Sequence, residues 1–197
     1  MIKLEELQSI LIQNGGILTT SQANEAGISN ERLRLFVQSG DLERVAFGIY
    51  ALPDELVDKM YVTQVLRPKI IYSHETALFL HELTDRDPLG YTVTVPSGYN
   101  TTKLRQDGFT VFTIKREFHE LGTVKLTTIF GHTVVGYGLE RTICDCLRNR
   151  NQMDIAVVTD SIKRYVRRKD KNLNSLTQLA ETFGVAKLLT SYLEVLL

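Results

Sequence analysis

The chain has 197 residues, of which 23 are basic and 23 are acidic, so its formal net charge at neutral pH is zero. Its 43% of hydrophobic and 23% of charged residues are typical of a globular protein and exclude a fibrous or disordered one. No apolar run approaches the roughly 20 residues that a membrane-spanning helix needs. The N-terminal sequence MIKLEELQSILIQ is amphipathic and partly acidic, unlike a signal peptide. We therefore expect a cytoplasmic protein without membrane contacts.

The first part of the chain has the pattern of three short helices. Residues 4–12 repeat apolar side chains at helical spacing, and a glycine pair follows them. A second helix is predicted to begin at Thr20 or Ser21, whose hydroxyl groups are suitable N-caps. A third helix is predicted to begin after Ser29 and to end at about Ser39, before a glycine.

The third helix has an apolar side and a polar side. At 100° per residue, the apolar residues of one side are Leu33, Phe36 and Val37, and the opposite side carries Glu31, Arg34, Leu35 and Gln38. Arginine, asparagine and glutamine have the geometry for contacts with guanine, adenine and phosphate. A solvated helix face is the alternative interpretation. The candidate DNA contacts of this helix are Ser29, Asn30, Arg32, Arg34 and Gln38.

A tight hairpin is predicted directly after the third helix. Apolar residues from Leu42 to Ala51 bracket the sequence Ala46-Phe47-Gly48, in which the glycine can adopt a positive φ. Two helices joined by a turn and followed by a two-stranded ribbon form a winged helix-turn-helix, which places one helix in a DNA groove. Arg44 is the candidate DNA contact of this wing.

A larger domain is predicted over residues 53–197, after a winged helix-turn-helix domain over residues 1–52. We therefore predict an α+β fold in which the second domain has a mainly antiparallel sheet and C-terminal helices. Strands are predicted near residues 70–72, 91–95, 109–114, 124–130 and 132–135. Helices are predicted near residues 54–67, 73–83, 139–148, 153–168, 173–183 and 185–197.

Positive charge is concentrated in the second domain. Residues 1–52 contain four basic and six acidic residues, a net charge of −2, whereas residues 141–171 contain nine basic and four acidic residues, a net charge of +5. Because neutralisation of phosphates supplies much of the affinity for DNA, we expect one helix of this segment to contact the DNA backbone. A solvated helix end, RNA and an acidic protein are the alternatives. The cations concerned are Lys163, Arg164, Arg167, Arg168 and Lys171.

The start of the helix over residues 139–148 carries reactive residue types that we interpret as structural. Cys144 and Cys146 are too few for a four-ligand zinc site and are expected to be buried, reduced thiols. Glu140 and Arg141 are interpreted as a buried structural pair, with Arg141 linked to the sheet.

The sequence contains no recognisable catalytic or cofactor-binding motif. His74 and His81 are seven residues apart, about 10.5 Å along a helix, which is too far for one metal ion. The clustered carboxylates of a metal nuclease, the glycine-rich loops of nucleotide binding and the G-x-S-x-G motif are absent from the sequence. We therefore expect a protein that is not an enzyme and has no cofactor. A DNA-targeted nuclease with an unrecognised metal site is the alternative.

Three further segments occur in order after the helix-turn-helix: LERVAFGIYALP, IYSHETALFLHELTDRDPLGYTVTVP and GYGLERTICDCLR. Together they resemble the AbiEi antitoxins of the AbiE abortive-infection toxin–antitoxin systems. The resemblance covers nearly the whole chain and depends on modest motifs in the right order, not on a catalytic signature.

The resemblance implies a repressor that binds inverted repeats of double-stranded DNA in the promoter of its own operon. It also implies a C-terminal domain that counteracts a nucleotidyltransferase-like toxin without a stable complex, as in type IV systems. The family's wing tip often has a basic residue before the glycine, whereas this chain has Phe47. Arg44 is therefore the remaining candidate for a contact between the wing and phosphate.

Overall fold

The computed structural model describes residues 4–196 of the chain, with the side chains of the two end residues excepted. Residues 1–3 of the amphipathic N-terminal segment and Leu197 of the predicted last helix lie outside the described residues. Two compact units are present. The first contains the chain as far as Pro68 together with the segment Thr127–Thr133, and the second contains Lys69–Leu126 and the chain from Val134 onward.

The first unit combines four helices with a small antiparallel sheet of order β1-β3-β2. Its core is formed where the first three helices pack on the sheet, and Leu7, Leu11, Ile28 and Leu33 are fully buried there. Its elements are α1 (Leu4–Gln13), β1 (Ile17–Thr19), α2 (Thr20–Glu25), α3 (Asn30–Ser39), β2 (Glu43–Ala46), β3 (Ile49–Ala51) and α4 (Lys59–Leu66).

The helix starts depend on side-chain caps. Ser29 caps α3 as predicted, because its side chain accepts a hydrogen bond from the Arg32 amide. The predicted cap of α2 at Thr20 or Ser21 is wrong, because Thr19 and Gln22 form a reciprocal capping box one residue earlier. The helix predicted to begin near residue 54 begins five residues later, at Lys59, after the N-cap Asp58.

The predicted hairpin is present, and its turn is held in place from one side. Phe47 and Gly48 connect β2 to β3, and Gly48 has a φ of 68°. The Gly48 carbonyl oxygen accepts hydrogen bonds from the Thr20 amide at 2.8 Å and from the Thr20 hydroxyl group at 3.2 Å. The start of α2 therefore fixes the position of the hairpin turn.

A buried carboxylate joins three parts of the first unit. One oxygen of Asp58 accepts hydrogen bonds from the Met60 and Tyr61 amides at 2.9 and 3.1 Å, which begins α4. The other oxygen accepts a hydrogen bond from the Thr128 hydroxyl group at 2.5 Å and lies 2.9 Å from His132 Nδ1. The imidazole of His132 also stacks on the Tyr61 ring, with centroids 4.5 Å apart. This cluster holds the segment Thr127–Thr133 in the first unit.

The remaining elements form a five-stranded sheet and a set of helices. The sequence does not predict the two short helices Thr102–Gln106 and Arg116–His119. The elements are β4 (Ile71–Tyr72), α5 (His74–Leu80), β5 (Thr92–Pro96), α6 (Thr102–Gln106), β6 (Thr110–Ile114), α7 (Arg116–His119), β7 (Thr123–Thr127), β8 (Thr133–Tyr137), α8 (Leu139–Arg148), a 3₁₀ turn (Arg150–Gln152), α9 (Ile155–Arg167), α10 (Leu173–Thr182) and α11 (Ala186–Leu196).

The five-stranded sheet is mixed, so the prediction of a mainly antiparallel sheet is wrong. Its order is β6-β5-β4-β8-β7. The β4–β5 pair is antiparallel, whereas the β4–β8 and β5–β6 pairs are parallel. The physical reason is the connection through α6, which lets the chain cross back and enter β6 in the direction of β5. Alternation of side chains along a strand carries no information about this direction.

Helix α8 lies at the centre of the second unit's core. Ile143 and Leu147 are fully buried among side chains of α5, α9, α10 and α11. Cys144 and Cys146 are free and buried, in agreement with the prediction. Burial raises the pKa of the Cys144 thiol to about 12, so this thiol is protonated at neutral pH and serves as an apolar core group.

The buried ion pair of α8 differs from the predicted one. Arg141 is fully buried, and its Nε donates to Asp145 Oδ2 at 2.9 Å, one helical turn away. Glu140 instead accepts hydrogen bonds from the Tyr165 hydroxyl group and the Asn172 amide, both at 3.0 Å. The prediction of a Glu140–Arg141 pair is therefore wrong, because adjacent helical residues point in different directions.

Substitution of Asp58 tests the carboxylate cluster. Asp58→Ala removes the N-cap of α4 and leaves the Thr128 and His132 groups without their acceptor, so the free energy of local opening should fall by about 3 kcal/mol. Amide exchange at Met60, Tyr61 and His132 measures this change. Asp87→Ala, at an exposed carboxylate, is the control. Unchanged amide exchange at His132 in Asp58→Ala would show that Asp58 does not hold the segment Thr127–Thr133 in place.

Two glycine substitutions test how the hairpin turn is held. Gly40 and Gly48 both have positive φ, but an added Cβ meets no atom within 4 Å at Gly40 and lies 3.0 Å from Thr20 Oγ1 at Gly48. Each alanine should cost about 1–2 kcal/mol of backbone strain. Gly48→Ala alone should accelerate exchange of the Thr20 amide. Equal exchange of this amide in both variants would show that the contact is unimportant.

Candidate nucleic-acid interface

Helix α3 exposes the polar side that the sequence predicts. Leu33 is fully buried and Phe36 is half-buried, whereas Arg34 and Gln38 are exposed. These two side chains are four residues apart and therefore project from the same face of the helix. Leu35, which is 57% exposed, lies beside them. The exposed face thus presents the guanidinium group of Arg34, the amide of Gln38 and, beside them, the apolar side chain of Leu35.

The start of α3 places its candidate residues in different environments. Ser29 and Asn30 are exposed, but the Ser29 hydroxyl group already caps the helix. Arg32 is half-buried, and its guanidinium carbon lies 5.4 Å from the centroid of the Phe36 ring. Ser29 and Arg32 therefore have structural contacts of their own, whereas Asn30 extends the exposed polar surface.

The hairpin turn exposes an aromatic ring beside a cation. The Phe47 side chain is 84% exposed. The guanidinium carbon of Arg44 lies 5.3 Å from the centroid of this ring, within the range of a cation–π contact. Arg44 is itself exposed, so the turn presents an apolar group and a positive charge together.

A groove of about 530 Å³ runs beside this turn. Among the described residues that line it, Arg44 carries the only charge. The sequence does not predict that Thr20 and the end of α4 line this groove, because local periodicity does not show how close a residue lies to the hairpin turn. The lining residues are Thr19, Thr20, Ser21, Asn30, Arg44, Phe47, Gly48, Ile49, Tyr50, Val65 and Leu66.

Two arginines of the basic helix are paired within the second unit. The Arg164 guanidinium donates to Asp85 at 2.9 Å and to Asp160 at 2.8 Å. Arg168 donates to both carboxylate oxygens of Asp170 at 2.8 Å. Hydrogen bonding to Arg164 holds the pKa of Asp85 below its usual value. Arg164 and Arg168 therefore have anionic partners within the second unit, which reduce the positive charge that this helix offers to an external anion.

The other three cations of this segment differ in exposure. Lys163 and Arg167 are exposed on α9, and neither has an ionic partner among residues 4–196. Lys171 follows the helix and donates to the Arg168 carbonyl oxygen at 3.0 Å. Of the five predicted contacts on this segment, Lys163 and Arg167 thus leave the most positive charge open to solvent.

The histidines do not form a metal centre. Over the described part of the chain, no group of three or more histidine, cysteine or acidic residues could hold a metal ion. His74 is buried against the Phe112 ring, and burial lowers its pKa to about 3. His81 ends the same helix and hydrogen-bonds to the Tyr137 carbonyl oxygen at 2.8 Å. In the same part of the chain, no helix has the length and apolar character required to cross a membrane.

Comparison with a solved structure concerns the fold. The chain is similar to the crystal structure of the RV2827C protein from Mycobacterium tuberculosis, with a TM-score of 0.59 and 15% sequence identity. The match covers 94% of this chain and 75% of that chain. At this identity the similarity shows a shared fold alone. A search of curated proteins found no match.

Comparison with protein families concerns the first unit. Residues 5–53 match the family model described as a transcriptional regulator, AbiEi antitoxin. The match contains α1, the α2–α3 pair and the β2–β3 hairpin, and therefore every candidate DNA contact of the first unit. This match confirms the resemblance to the AbiEi antitoxins over residues 5–53.

Proposed function

We propose that the chain is a transcriptional repressor and antitoxin whose first unit is a winged helix-turn-helix that binds double-stranded DNA. Helix α3 would be the recognition helix, and the β2–β3 hairpin would be the wing. The observation that carries this proposal is the exposed polar face of α3, on which Arg34 and Gln38 lie one turn apart. This helix packs its apolar side on the core, so its polar side is available to a groove.

The chemistry of this face fits direct readout in the major groove. An arginine fork can donate two hydrogen bonds to guanine, and a glutamine amide can both donate to and accept from adenine. Asn30 at the start of α3, together with the amide groups of the first turn, suits a phosphate oxygen. Ser29, Arg32 and Arg44 complete the proposed contacts of this unit.

The proposed regulatory role follows the AbiEi match. The winged domain over residues 1–52 would bind inverted repeats in the promoter of its own operon. The α+β domain over residues 53–197 would counteract a nucleotidyltransferase-like toxin without a stable complex, as a type IV system in defence against phage. A repressor of this kind acts in the cytoplasm and requires neither catalysis nor a cofactor.

Variants of Arg34 test the proposed recognition helix. Arg34→Ala should weaken binding to the DNA upstream of the chain's own gene by about 1–3 kcal/mol, because a bidentate base contact is lost. Arg34→Lys keeps the charge but not the fork. It should therefore keep the salt dependence of binding and lose the discrimination between the specific site and unrelated DNA. Fluorescence anisotropy over a range of salt concentrations measures both quantities.

Two controls accompany this measurement. Arg116→Ala removes an exposed arginine of the second unit and should preserve the discrimination. Incubation of the wild-type protein with the same DNA and Mg²⁺ or Mn²⁺ tests the nuclease alternative. Unchanged discrimination in both Arg34 variants would exclude α3 as the recognition helix, and cleavage of the DNA would favour the enzyme.

We also propose that helix α9 contacts an anionic backbone through Lys163 and Arg167. These side chains are exposed and lack an ionic partner among the described residues, whereas Arg164 and Arg168 already bind carboxylates. DNA phosphate is the partner that the regulatory role favours. Lys171 would extend the same positive surface at the end of the helix.

Paired double variants test the contact of α9 with DNA. Lys163→Ala with Arg167→Ala should weaken binding to all DNA sequences and reduce the slope of log K against log salt by about two. Arg164→Ala with Arg168→Ala should change this slope less, because internal carboxylates neutralise those charges. An equal slope in both double variants and the wild type would show that α9 does not contact DNA.

A further inference from the structure

The exposed Phe47 ring has no structural explanation within its unit. An aromatic side chain that is 84% exposed leaves apolar surface in water, which is unfavourable compared with burial. The residue occupies a two-residue turn, where a small polar residue is the usual choice. The core of the first unit is complete without this ring, since the clusters of buried side chains do not include it.

The ring is presented on a well-fixed support. Two hydrogen bonds from Thr20 hold the Gly48 carbonyl oxygen, and β3 pairs with β1 on one side and β2 on the other. A fixed support lowers the entropy lost when the ring is inserted into a partner. The turn is therefore suited to contact a surface with a ring in one defined place.

Arg44 determines the sign of the charge around the ring. Its guanidinium carbon lies 5.3 Å from the centroid of Phe47. The preceding residue, Glu43, points to the opposite face of β2, because side chains alternate along a strand, and it does not line the groove beside the turn. The groove thus offers one cation together with the hydroxyl groups of Thr20 and Ser21. This combination favours a polyanion as the partner.

We infer that the Phe47 ring and the Arg44 guanidinium enter the minor groove of DNA beside the site that α3 occupies. Apolar wedges partly unstack a base step, and arginine is attracted to the negative potential of a narrow A·T-rich minor groove. The 2-amino group of guanine obstructs the floor of this groove. The wing would therefore select A·T-rich sequence next to the recognition site. This inference rests on the proposed DNA-binding function.

Three synthetic duplexes, each two helical turns long, distinguish the two grooves. They consist of alternating A·T, inosine·cytosine or G·C pairs. An inosine·cytosine pair presents the major-groove edge of G·C but lacks the 2-amino group, so its minor groove resembles that of A·T. Readout by Phe47 and Arg44 requires the full chain to bind the inosine duplex roughly tenfold more tightly than the G·C duplex, because these two duplexes share the major-groove edge and differ only in the minor groove.

Variants assign this preference to the wing. Phe47→Ala and Arg44→Ala should each reduce the preference toward unity, whereas Phe47→Leu should preserve most of it because leucine is also an apolar wedge. Arg116→Ala, at an exposed arginine of the second unit, is the matched control and should leave the ratio between the inosine and G·C duplexes unchanged. Because Phe47 is exposed, Phe47→Ala should unfold at the wild-type temperature, which separates loss of binding from loss of folding.

The outcomes separate this inference from the proposed function. If the wild-type protein binds none of the duplexes and does not bind its own upstream DNA, the proposed function fails. If it binds DNA but binds the inosine duplex no more tightly than the G·C duplex, the minor-groove inference alone is overturned. The same holds if Phe47→Ala keeps the wild-type preference for the inosine duplex over the G·C duplex. A Phe47→Ala protein that binds DNA normally but no longer self-associates would assign the ring to a second copy and would also overturn the inference.

Discussion

The first unit depends on one buried carboxylate. Asp58 is 1% exposed, and removing a carboxylate from water costs several kcal/mol unless hydrogen bonds replace its hydration. Two backbone amides, the Thr128 hydroxyl group and the His132 ring supply these replacements. Because the donors come from two distant segments, the carboxylate is satisfied only when both segments are in place. The start of α4 and the turn after β7 are therefore ordered together.

This dependence makes the first unit larger than the AbiEi match. The family model ends at residue 53, but the contacts of Asp58 and Tyr61 bring α4 and the segment Thr127–Thr133 into the same unit. The strands on either side of that turn continue into the second unit. The DNA-binding unit that we propose therefore includes α4 and this turn in addition to the residues that the family model matches.

The sequence predicts the elements whose determinants are local. The bounds of α3 follow from the Ser29 cap and the Gly40 end, and α8 follows from its amphipathic period. The Asp58 cluster could not be predicted, because its partners are 70 and 74 residues away along the chain. The parallel strand pairs could not be predicted for a similar reason. Whether two strands pair in parallel depends on the chain that connects them and not on the residues within the strands.

Charge counting overstates the positive charge that the basic helix leaves free, for a physical reason. A linear segment ignores acids that the fold brings close, such as Asp85, which lies 79 residues before Arg164. Such exposed pairs contribute little to stability, but they reduce the positive potential that a phosphate would meet. The exposed charge of Lys163 and Arg167 is therefore a better guide to an anionic surface than the number of basic residues in the segment.

The acidic balance of the first unit constrains how it can recognise DNA. The net charge over residues 1–52 is −2, so phosphate neutralisation would contribute less to the proposed binding than it does in a strongly basic domain. Base-edge hydrogen bonds and apolar contacts depend weakly on salt, and they discriminate between sequences. An exposed phenyl ring on a fixed turn is suited to apolar contacts of this kind. In the DNA complex that we propose, Phe47 would thus exchange general affinity for dependence on the shape and sequence of the groove.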